Sequence, residues 1–448
     1  MKLPFTGSFD LRAFQHRALV EIDRSFSHHS RVLLVAPTGS GKTVIAGCLA
    51  ALVVRRLRKR CVFLVHRREL MAQAVGTLQQ FGLGDFTGTI GGGSIENAWA
   101  PFIVASIPTL ARNKLRLKAD FVIVDEAHHI NARTWGDTIL QRWPEAKILG
   151  MTATPRRTDG QAMGNFFETI VQTPQIRDLV KAGYLCDFDM LRPPYSLKPN
   201  KDLNRSTRKK TIVQVFESWQ KHARGRKTII FAVDIAHSKE VKRTFRENGI
   251  SCEHIDASTQ RDKRDWIIAD FRQGHLQVIT NVNLISEGFD VPDCGCVVMA
   301  RPSKSIIDYF QQAGRMMRPK KDGRKGILLD LAGNVFIHGY TPKDVVEWSL
   351  EGLPNPGIKV LETKPIAYHV CEICVRPYNS IKLQCPYCGH ERSRAGQLID
   401  EIEASLVLHQ RPEGAIRQSF GELVHRLNRG VSFQDIMNEA YQDRKTDL

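Results

Sequence analysis

The sequence predicts an α/β protein with two parallel-sheet domains in tandem, a small cysteine-rich element and a helical C-terminal tail. Short runs rich in Val, Ile and Leu recur along most of the chain, and helix-patterned stretches lie between many of them. Continuous apolar strands that alternate with helices are typical of a parallel sheet covered on both faces. The predicted strands are Val32–Val35, Cys61–Val65, Phe102–Ala105, Phe121–Val124, Lys147–Leu149, Thr228–Ala232, Gln277–Ile279, Cys296–Met299 and Gly326–Leu329.

Two breaks in this alternation predict the domain boundaries. The first follows Arg192 and is rich in Pro and basic residues, and the second is the stretch Gly352–Gly357, since Pro and Gly clusters mark linkers. The predicted parts are two domains (1–190 and 212–338), two linkers (191–211 and 339–365), the cysteine-rich element (366–392) and the helical tail (393–448).

The chain of 448 residues carries a formal net charge of +17, which is unevenly distributed. Residues 1–340 have a net charge of +19, whereas residues 341–448 have a net charge of −2. A basic excess favours a polyanionic partner for the body of the protein. No apolar run approaches the ~18 residues of a membrane span, and the N-terminus lacks the apolar core of a signal peptide. We therefore expect a cytoplasmic protein with no membrane partner.

The segment Ala36–Thr43, with the sequence APTGSGKT, has the composition of a phosphate-binding loop. A predicted strand precedes it and a helical run begins at Val44. Glycines let the backbone curl so that its N–H groups point at phosphate oxygens. Lys42 would reach the β- and γ-phosphates, and the Thr43 hydroxyl would hold Mg²⁺. The predicted nucleotide-binding residues of the loop are Thr38, Gly39, Ser40, Gly41, Lys42 and Thr43.

An acidic pair, Asp125 and Glu126, follows the predicted strand Phe121–Val124 directly. Carboxylates at a strand's carboxyl end suit phosphoryl transfer, with Asp125 positioned for Mg²⁺ and Glu126 for the attacking water. Thr152 and Thr154 end the next predicted strand. These two hydroxyls are candidate functional groups because of their position, one strand–helix unit after the acidic pair.

A pair of arginines, Arg315 and Arg318, lies in the second predicted domain. Because they are three residues apart, we expect them on one face of a helix. Two guanidinium groups aimed across a cleft can stabilise a γ-phosphoryl transition state. Near the N-terminus, Gln15 could pair with the N6 and N7 edge of adenine, although a glutamine alone is a weak signal.

Together these stretches resemble a superfamily 2 helicase motor of the DEAH-box type over about residues 10–340. The resemblance implies two RecA-like domains that bind ATP and Mg²⁺ between them. It also implies that Gln15, Gly288 and Asp290 touch the nucleotide and that Glu126, Gln311, Arg315 and Arg318 are catalytic. The implied nucleic-acid contacts are His66, Arg67, Ser106, Thr109, Phe231 and Thr280, and the implied coupling residues are His128, Thr152 and Thr154.

Three segments narrow the resemblance to the RadD-like branch of bacterial and phage proteins, which carries a cysteine-rich element after the motor. They are Gly150–Arg156, Gly288–Pro292 and Leu328–Asn334. That branch is associated with DNA repair and recombination, so the resemblance favours DNA, single-stranded or branched, over RNA.

Two cysteine pairs, Cys371 with Cys374 and Cys385 with Cys388, have ten residues between them. Paired thiolates at this spacing predict a tetrahedral Zn²⁺ site in a compact ribbon. The ribbon could contact DNA or could be a structural staple that presents a surface to a partner protein. The net negative charge of this part of the chain favours the staple or partner interpretation. The six other cysteines are scattered and are expected to be reduced core residues.

Three functions stay open at the level of sequence. The first is a DNA translocase or branch remodeller, and the second is an RNA helicase that shares every motor motif. The third is a zinc-bearing adaptor that uses ATP only as a conformational switch.

Overall fold

The structure is a computed structural model with side chains. It describes residues 11–391 apart from 67–68, 92, 113–114, 116, 131–134, 156–161, 193–204, 283, 285–293, 304, 321, 339–340, 345, 352–367 and 380–381. The predicted helical tail therefore lies outside the described residues, as do the predicted site residues Arg67, Gly288 and Asp290.

An eight-stranded sheet forms the first domain, in the order β4-β3-β5-β2-β6-β7-β1-β8. All its pairings are parallel except that of β3 with β4. Because β6, β7 and β1 are neighbours and parallel, the loops after these three strands meet at one edge of the sheet. The strands are β1 Arg31–Val35, β2 Cys61–Val65, β3 Thr87–Gly91, β4 Ser94–Glu96, β5 Phe102–Ser106, β6 Phe121–Val124, β7 Lys147–Thr152 and β8 Thr169–Gln172.

A second, fully parallel sheet of six strands has the order β11-β12-β10-β13-β14-β9. Its edge strand β9 begins at Phe188, on the N-terminal side of the predicted boundary at residue 190, and pairs with β14. The second sheet thus takes in residues that the sequence interpretation gave to the first domain, because the chain adds an edge strand before its linker. The strands are β9 Phe188–Leu191, β10 Thr228–Phe231, β11 Cys252–Ile255, β12 Val278–Asn281, β13 Cys296–Met299 and β14 Gly326–Asp330.

Helices cover both sheets. They are α1 Ala13–Ser25, α2 Lys42–Ala51, α3 Glu69–Leu78, α4 Ile107–Arg112, α5 Asp137–Arg142, α6 Ile176–Lys181, α7 Arg205–Ala223, α8 Ile235–Glu247, α9 Arg261–Gln273, α10 Ile306–Gly314 and α11 Asn334–His338. Short π- or 3₁₀-helical segments occur at Leu52–Arg56, Gln79–Leu83, Gly84–Phe86, Ala127–His129 and Met163–Asn165. Among the described residues, no helix has the length and apolar character needed to cross a bilayer.

The cores confirm the predicted two-sided burial of the sheets. Every residue of β2, β5 and β6 is buried, as is every residue of β10, β12, β13 and β14. One apolar cluster contains Phe14 together with Ile229 and Phe231 of the second domain. The N-terminal helix α1 therefore contributes to packing around the second sheet as well as the first.

A two-stranded antiparallel ribbon, β15 Tyr368–Val370 and β16 Pro377–Asn379, follows the second domain. It packs onto the second domain beside edge strand β9. The backbone N–H of Arg192 donates to the carbonyl of Val375 at 2.8 Å, and Arg376 forms an ion pair with Asp189 at 3.0 Å. Val375 is buried in a cluster with Leu191 and Trp219.

Candidate ATP site and nucleic-acid interface

The phosphate loop joins the carboxyl end of β1 to helix α2. Gly39 and Gly41 have φ of 82° and 92°, the left-handed region that glycine enters without a Cβ penalty. Helix α2 begins at Lys42, so its N-terminal N–H groups and helix dipole face the loop. In this structure the Lys42 ammonium donates to the carbonyl of Ala36 at 3.2 Å. The predicted strand, glycine loop and helix are all present in order.

Gln15 is buried against this loop. Its side-chain Nε2 donates to the carbonyl of Ser40 at 3.1 Å, and its Oε1 accepts from the backbone N–H of Arg12 at 3.0 Å. A Cβ on Gly41 would lie 2.5 Å from that Nε2, so Gly41 is required for this approach as well as for its φ. The structure thus shows Gln15 bracing the phosphate loop, and its contact with adenine stays a prediction.

The acidic pair lies beside Lys42 at the end of β6. Burial and the charge of Glu126 raise the pKa of Asp125 to about 7, although Lys42 opposes this. Burial also raises the pKa of Glu126, but Lys42 and the histidines His128 and His66 outweigh it and leave that pKa below its usual value. Glu126 has φ 47° and ψ 52°, and a strained residue of this kind is typical of functional sites.

A series of close polar contacts connects Glu126 to the loop after β7. His128 is fully buried, with its Nδ1 3.4 Å from Glu126 Oε2 and 3.1 Å from Thr152 Oγ1. The Thr152 hydroxyl donates to the carbonyl of Thr154 at 2.9 Å and lies 3.2 Å from the Thr154 N–H. The predicted coupling residues are therefore in direct contact, because β6 and β7 are adjacent.

A histidine stack next to Glu126 was missed by sequence reasoning. The rings of His66 and His129 stack with centroids 4.5 Å apart, and His129 lies 4.2 Å from the His128 ring. His66, predicted to contact nucleic acid, is instead buried close enough to Glu126 to lower its pKa. The sequence signal that could have revealed it is the doublet His128–His129, which is separated from the acidic pair by Ala127 alone.

Helix α10 brings the second domain to the phosphate loop. Gly314, its last residue, lies against Thr38, so that a Cβ on Gly314 would be 2.7 Å from Thr38 Cβ and Cγ2. Gln311, one turn earlier, is buried, and neither its amide nitrogen nor its amide oxygen has a hydrogen-bond partner among the described residues. A buried, unpartnered amide in this place is consistent with a ligand group that it would bind.

The prediction that Arg315 and Arg318 share one face of a helix is wrong. Helix α10 ends at Gly314, Arg315 is its C-cap, and Arg318 lies in a bend beyond it. The chain leaves the helix because the N–H groups of Arg315 and Met316 bond three residues back, to Gln312 and Ala313. The arginines are thus presented by a tight turn that follows the Gly314–Thr38 contact.

Two predicted nucleic-acid contacts also need correction. The side chains of Phe231 and Thr280 are fully buried, and Thr280 Oγ1 lies 2.8 Å from Ser238 Oγ. Neither can touch a strand on the surface in this conformation, because side chains at these strand positions point into the domain. Ser106 is likewise buried at the end of β5, whereas Thr109, on α4, is half-buried.

The four paired cysteines form one cluster. The sulfur atoms of Cys371, Cys374, Cys385 and Cys388 all lie within 4.8 Å of one another. Cys371 and Cys385 are buried, whereas Cys388 is exposed. Four thiols converging on one point fit the donor set of a structural Zn²⁺ site.

The comparisons with known proteins agree with this geometry. Residues 8–157 match the family described as type III restriction enzyme, res subunit, and residues 207–320 match the helicase conserved C-terminal domain. A 51.5 kDa protein of a Lactococcus phage is 29% identical over 382 residues, covering 81% of this chain and 78% of that protein. The DNA 3'-5' translocase XPB2 of Sulfurisphaera tokodaii is 22% identical over 383 residues, covering 73% of this chain and 83% of that protein.

Among solved structures, Dbp5 of Saccharomyces cerevisiae bound to RNA and ADP BeF3 superimposes with a TM-score of 0.53 at 17% identity. The match covers 73% of this chain and 90% of Dbp5. Two RecA-like domains, a phosphate loop and an acidic strand end define the class of nucleic-acid-dependent ATPases. Within that class, the two family matches and the relatives support a superfamily 2 helicase.

Proposed function

We propose that the protein is an ATP-driven motor on DNA, which couples ATP hydrolysis to translocation or remodelling in repair, recombination or replication. The observation that carries this proposal is the contact of Gly314 with Thr38. This contact lies directly before the turn with Arg315 and Arg318 and on the loop that would bind the phosphates, which supports an ATP site formed by both domains.

On the first wall, Thr38–Thr43 would bind the nucleotide and Glu126 would orient the attacking water. Lys42 would leave the Ala36 carbonyl for the β- and γ-phosphates. Thr43 and Asp125 would hold Mg²⁺, and the raised pKa of Asp125 supports this, because burial and the charge of Glu126 leave the Asp125 carboxylate short of compensating positive charge. When bound, Mg²⁺ neutralises phosphate charge.

On the second wall, Gln311, Arg315 and Arg318 would contact the γ-phosphoryl group. Arginines stabilise the charge that develops on its equatorial oxygens. The polar contacts from Glu126 through His128 to Thr152 and Thr154 would couple the state of the nucleotide to the loop after β7. Closure on ATP and reopening after hydrolysis would then move a strand bound across both domains.

The net charge of +19 in residues 1–340 would supply sequence-independent contacts to phosphates. DNA is favoured for two reasons. The relative from Sulfurisphaera tokodaii is named a DNA 3'-5' translocase, and the resemblance of the sequence to the RadD-like branch favours DNA over RNA. The cysteine cluster would hold Zn²⁺ as a staple on the second domain, and the helical tail could bind a protein partner.

The test is ATP hydrolysis by the purified protein alone and with single-stranded, duplex or forked DNA, or with RNA. We expect strong stimulation by DNA, and the preferred form would indicate the task. Stimulation by RNA alone would contradict the DNA assignment and favour an RNA helicase. Hydrolysis indifferent to every polynucleotide would contradict the motor and favour the ATP-switched zinc adaptor.

A further inference from the structure

An open pocket of about 690 Å³ lies on the second domain and contains none of the residues assigned to the ATP site. We name it the flank pocket, because its walls are helix α8, the edge strand β11 with the loop that follows it, and the start of α9. Its basic lining residues are Lys239, Lys242, Arg243, Arg246 and Lys263, and its acidic lining residues are Glu247 and Asp256.

The acidic groups do not neutralise this basic lining. Buried Glu253 accepts from both Lys242 and Arg246, and Arg243 lies 3.7 Å from Glu247. The exposed Lys239 and Lys263 form no ion pair within the part of the chain that the structure describes. An excess of positive charge therefore remains, and it faces the solvent.

Two residues that line the flank pocket, His254 and Asp256, belong to a series of buried hydrogen bonds. His254 Nε2 lies 3.0 Å from Asp256 Oδ2, His254 Nδ1 lies 2.6 Å from Ser238 Oγ, and Ser238 Oγ lies 2.8 Å from Thr280 Oγ1. The Asp–His–Ser order resembles a hydrolytic triad, but Ser238 is fully buried, so no substrate can reach its oxygen. These hydrogen bonds instead connect the pocket to the carboxyl end of β12.

An aromatic side chain lies on the same helix face as one of the two unpaired lysines. Trp266 follows Lys263 by three residues on α9 and is 57% exposed. Residues at this spacing are neighbours on a helix surface. Exposed indoles beside phosphate-binding cations are the combination with which proteins bind single strands, because every base has a stacking face.

We propose that the flank pocket binds phosphates of a nucleic-acid strand that continues beyond the path across the two domains, with Trp266 stacking on a base. The inference rests on the proposed function and deepens it, by giving the motor a second contact at the outer edge of the second sheet. A strand must then exceed a threshold length before it reaches both contacts. Free phosphates lack the base that Trp266 would bind.

The test compares Lys239→Glu/Lys263→Glu with a matched control, Lys221→Glu/Arg224→Glu. Lys221 and Arg224 are also exposed and lie on the same domain, at the end of α7 and just beyond it, and neither lines the flank pocket. Binding of an oligothymidylate length series is measured by fluorescence anisotropy at several salt concentrations. We expect the flank variant to bind long strands roughly tenfold more weakly, with the slope of log affinity against log salt reduced by about 1.4 for two lost contacts.

Short strands should bind the flank variant and the wild-type protein equally, and the control should match wild type at every length. Trp266→Ala should weaken binding of long strands without changing the salt slope. Equal loss at all lengths, or no loss at any length, would overturn the proposal.

These binding measurements do not require ATP. A protein whose hydrolysis ignores DNA but whose long-strand affinity depends on Lys239 and Lys263 would contradict the motor and support the flank pocket. Normal DNA-stimulated hydrolysis together with length-independent binding would support the motor and contradict the flank pocket.

Discussion

Gly314, at the end of helix α10 and directly before the turn that carries Arg315 and Arg318, lies against Thr38 of the phosphate loop. The approach leaves no room for a methyl group, because a Cβ on Gly314 would be 2.7 Å from Thr38 Cβ. Two residues that are far apart in the chain thereby fix the distance between the predicted walls of the ATP site.

Gly314→Ala should slow ATP hydrolysis by roughly 10–100-fold, because small misplacement of reacting groups is costly. The measurement is steady-state hydrolysis with saturating DNA. Gly76→Ala is the matched control, since it lies in helix α3 with no atom within 4 Å of the added Cβ. That variant should keep its activity and gain up to about 1 kcal/mol of stability. Equal activity in the two variants would show that the Thr38 contact does not set the geometry of the site.

Lys42→Ala should reduce ATP hydrolysis by at least about 100-fold, because a charged donor aimed at transferring phosphoryl oxygens is lost. The far-ultraviolet circular dichroism and the thermal midpoint should stay close to those of the wild type. Lys59→Ala, an exposed lysine of the same domain, serves as control and should hydrolyse ATP normally. Unchanged turnover in Lys42→Ala would refute the assignment of the active site.

Asp187→Asn should make stability depend less on pH in the acid range. Burial raises the pKa of Asp187, but Lys325 and Lys343 outweigh it and lower that pKa to about 2. A carboxylate with a lowered native pKa stabilises the fold above its unfolded pKa, near 3.9, and this contribution disappears as pH falls towards about 2.

The variant should therefore be less stable than wild type above about pH 4, and the difference should shrink on further acidification. Urea unfolding at a series of pH values measures it. Asp322→Asn is the control, because its pair with Arg324 is exposed and exposed pairs contribute little. A constant difference for Asp187→Asn across the whole range would contradict the prediction.

Removal of zinc should lower the thermal midpoint. The ribbon places Val375 in the apolar cluster of the second domain and pairs Arg376 with Asp189, so its unfolding would expose that cluster. A chelator should lower the midpoint, and Zn²⁺ but not Mg²⁺ should restore it. Cys388→Ser should behave like the chelated protein. A midpoint unaffected by verified metal removal would show that the ribbon folds without zinc.

Strand positions were well predicted where the apolar signal was continuous. All nine predicted runs lie in strands, with ends that differ by a few residues. The missed strands include β3, with the sequence TGTIG, and β11, with CEHI. Gly, Thr and charged residues interrupt the apolar pattern of these two strands, so the local sequence does not predict them. Their pairing depends on neighbouring strands that are distant in sequence. His254 and Glu253 are tolerated in β11 since each has a partner, Asp256 in one case and Lys242 in the other.

The sequence by itself determined the class of protein, the phosphate loop, the acidic pair and the four cysteines, because each depends on residue types at short, fixed spacing. Only the tertiary structure decided which groups meet. It placed His66 beside Glu126, seated Gly314 on Thr38, added Phe188–Leu191 to the second sheet and gathered five cations around the flank pocket. Such contacts join residues far apart in the chain, and they follow from strand order and close packing, which no local pattern records.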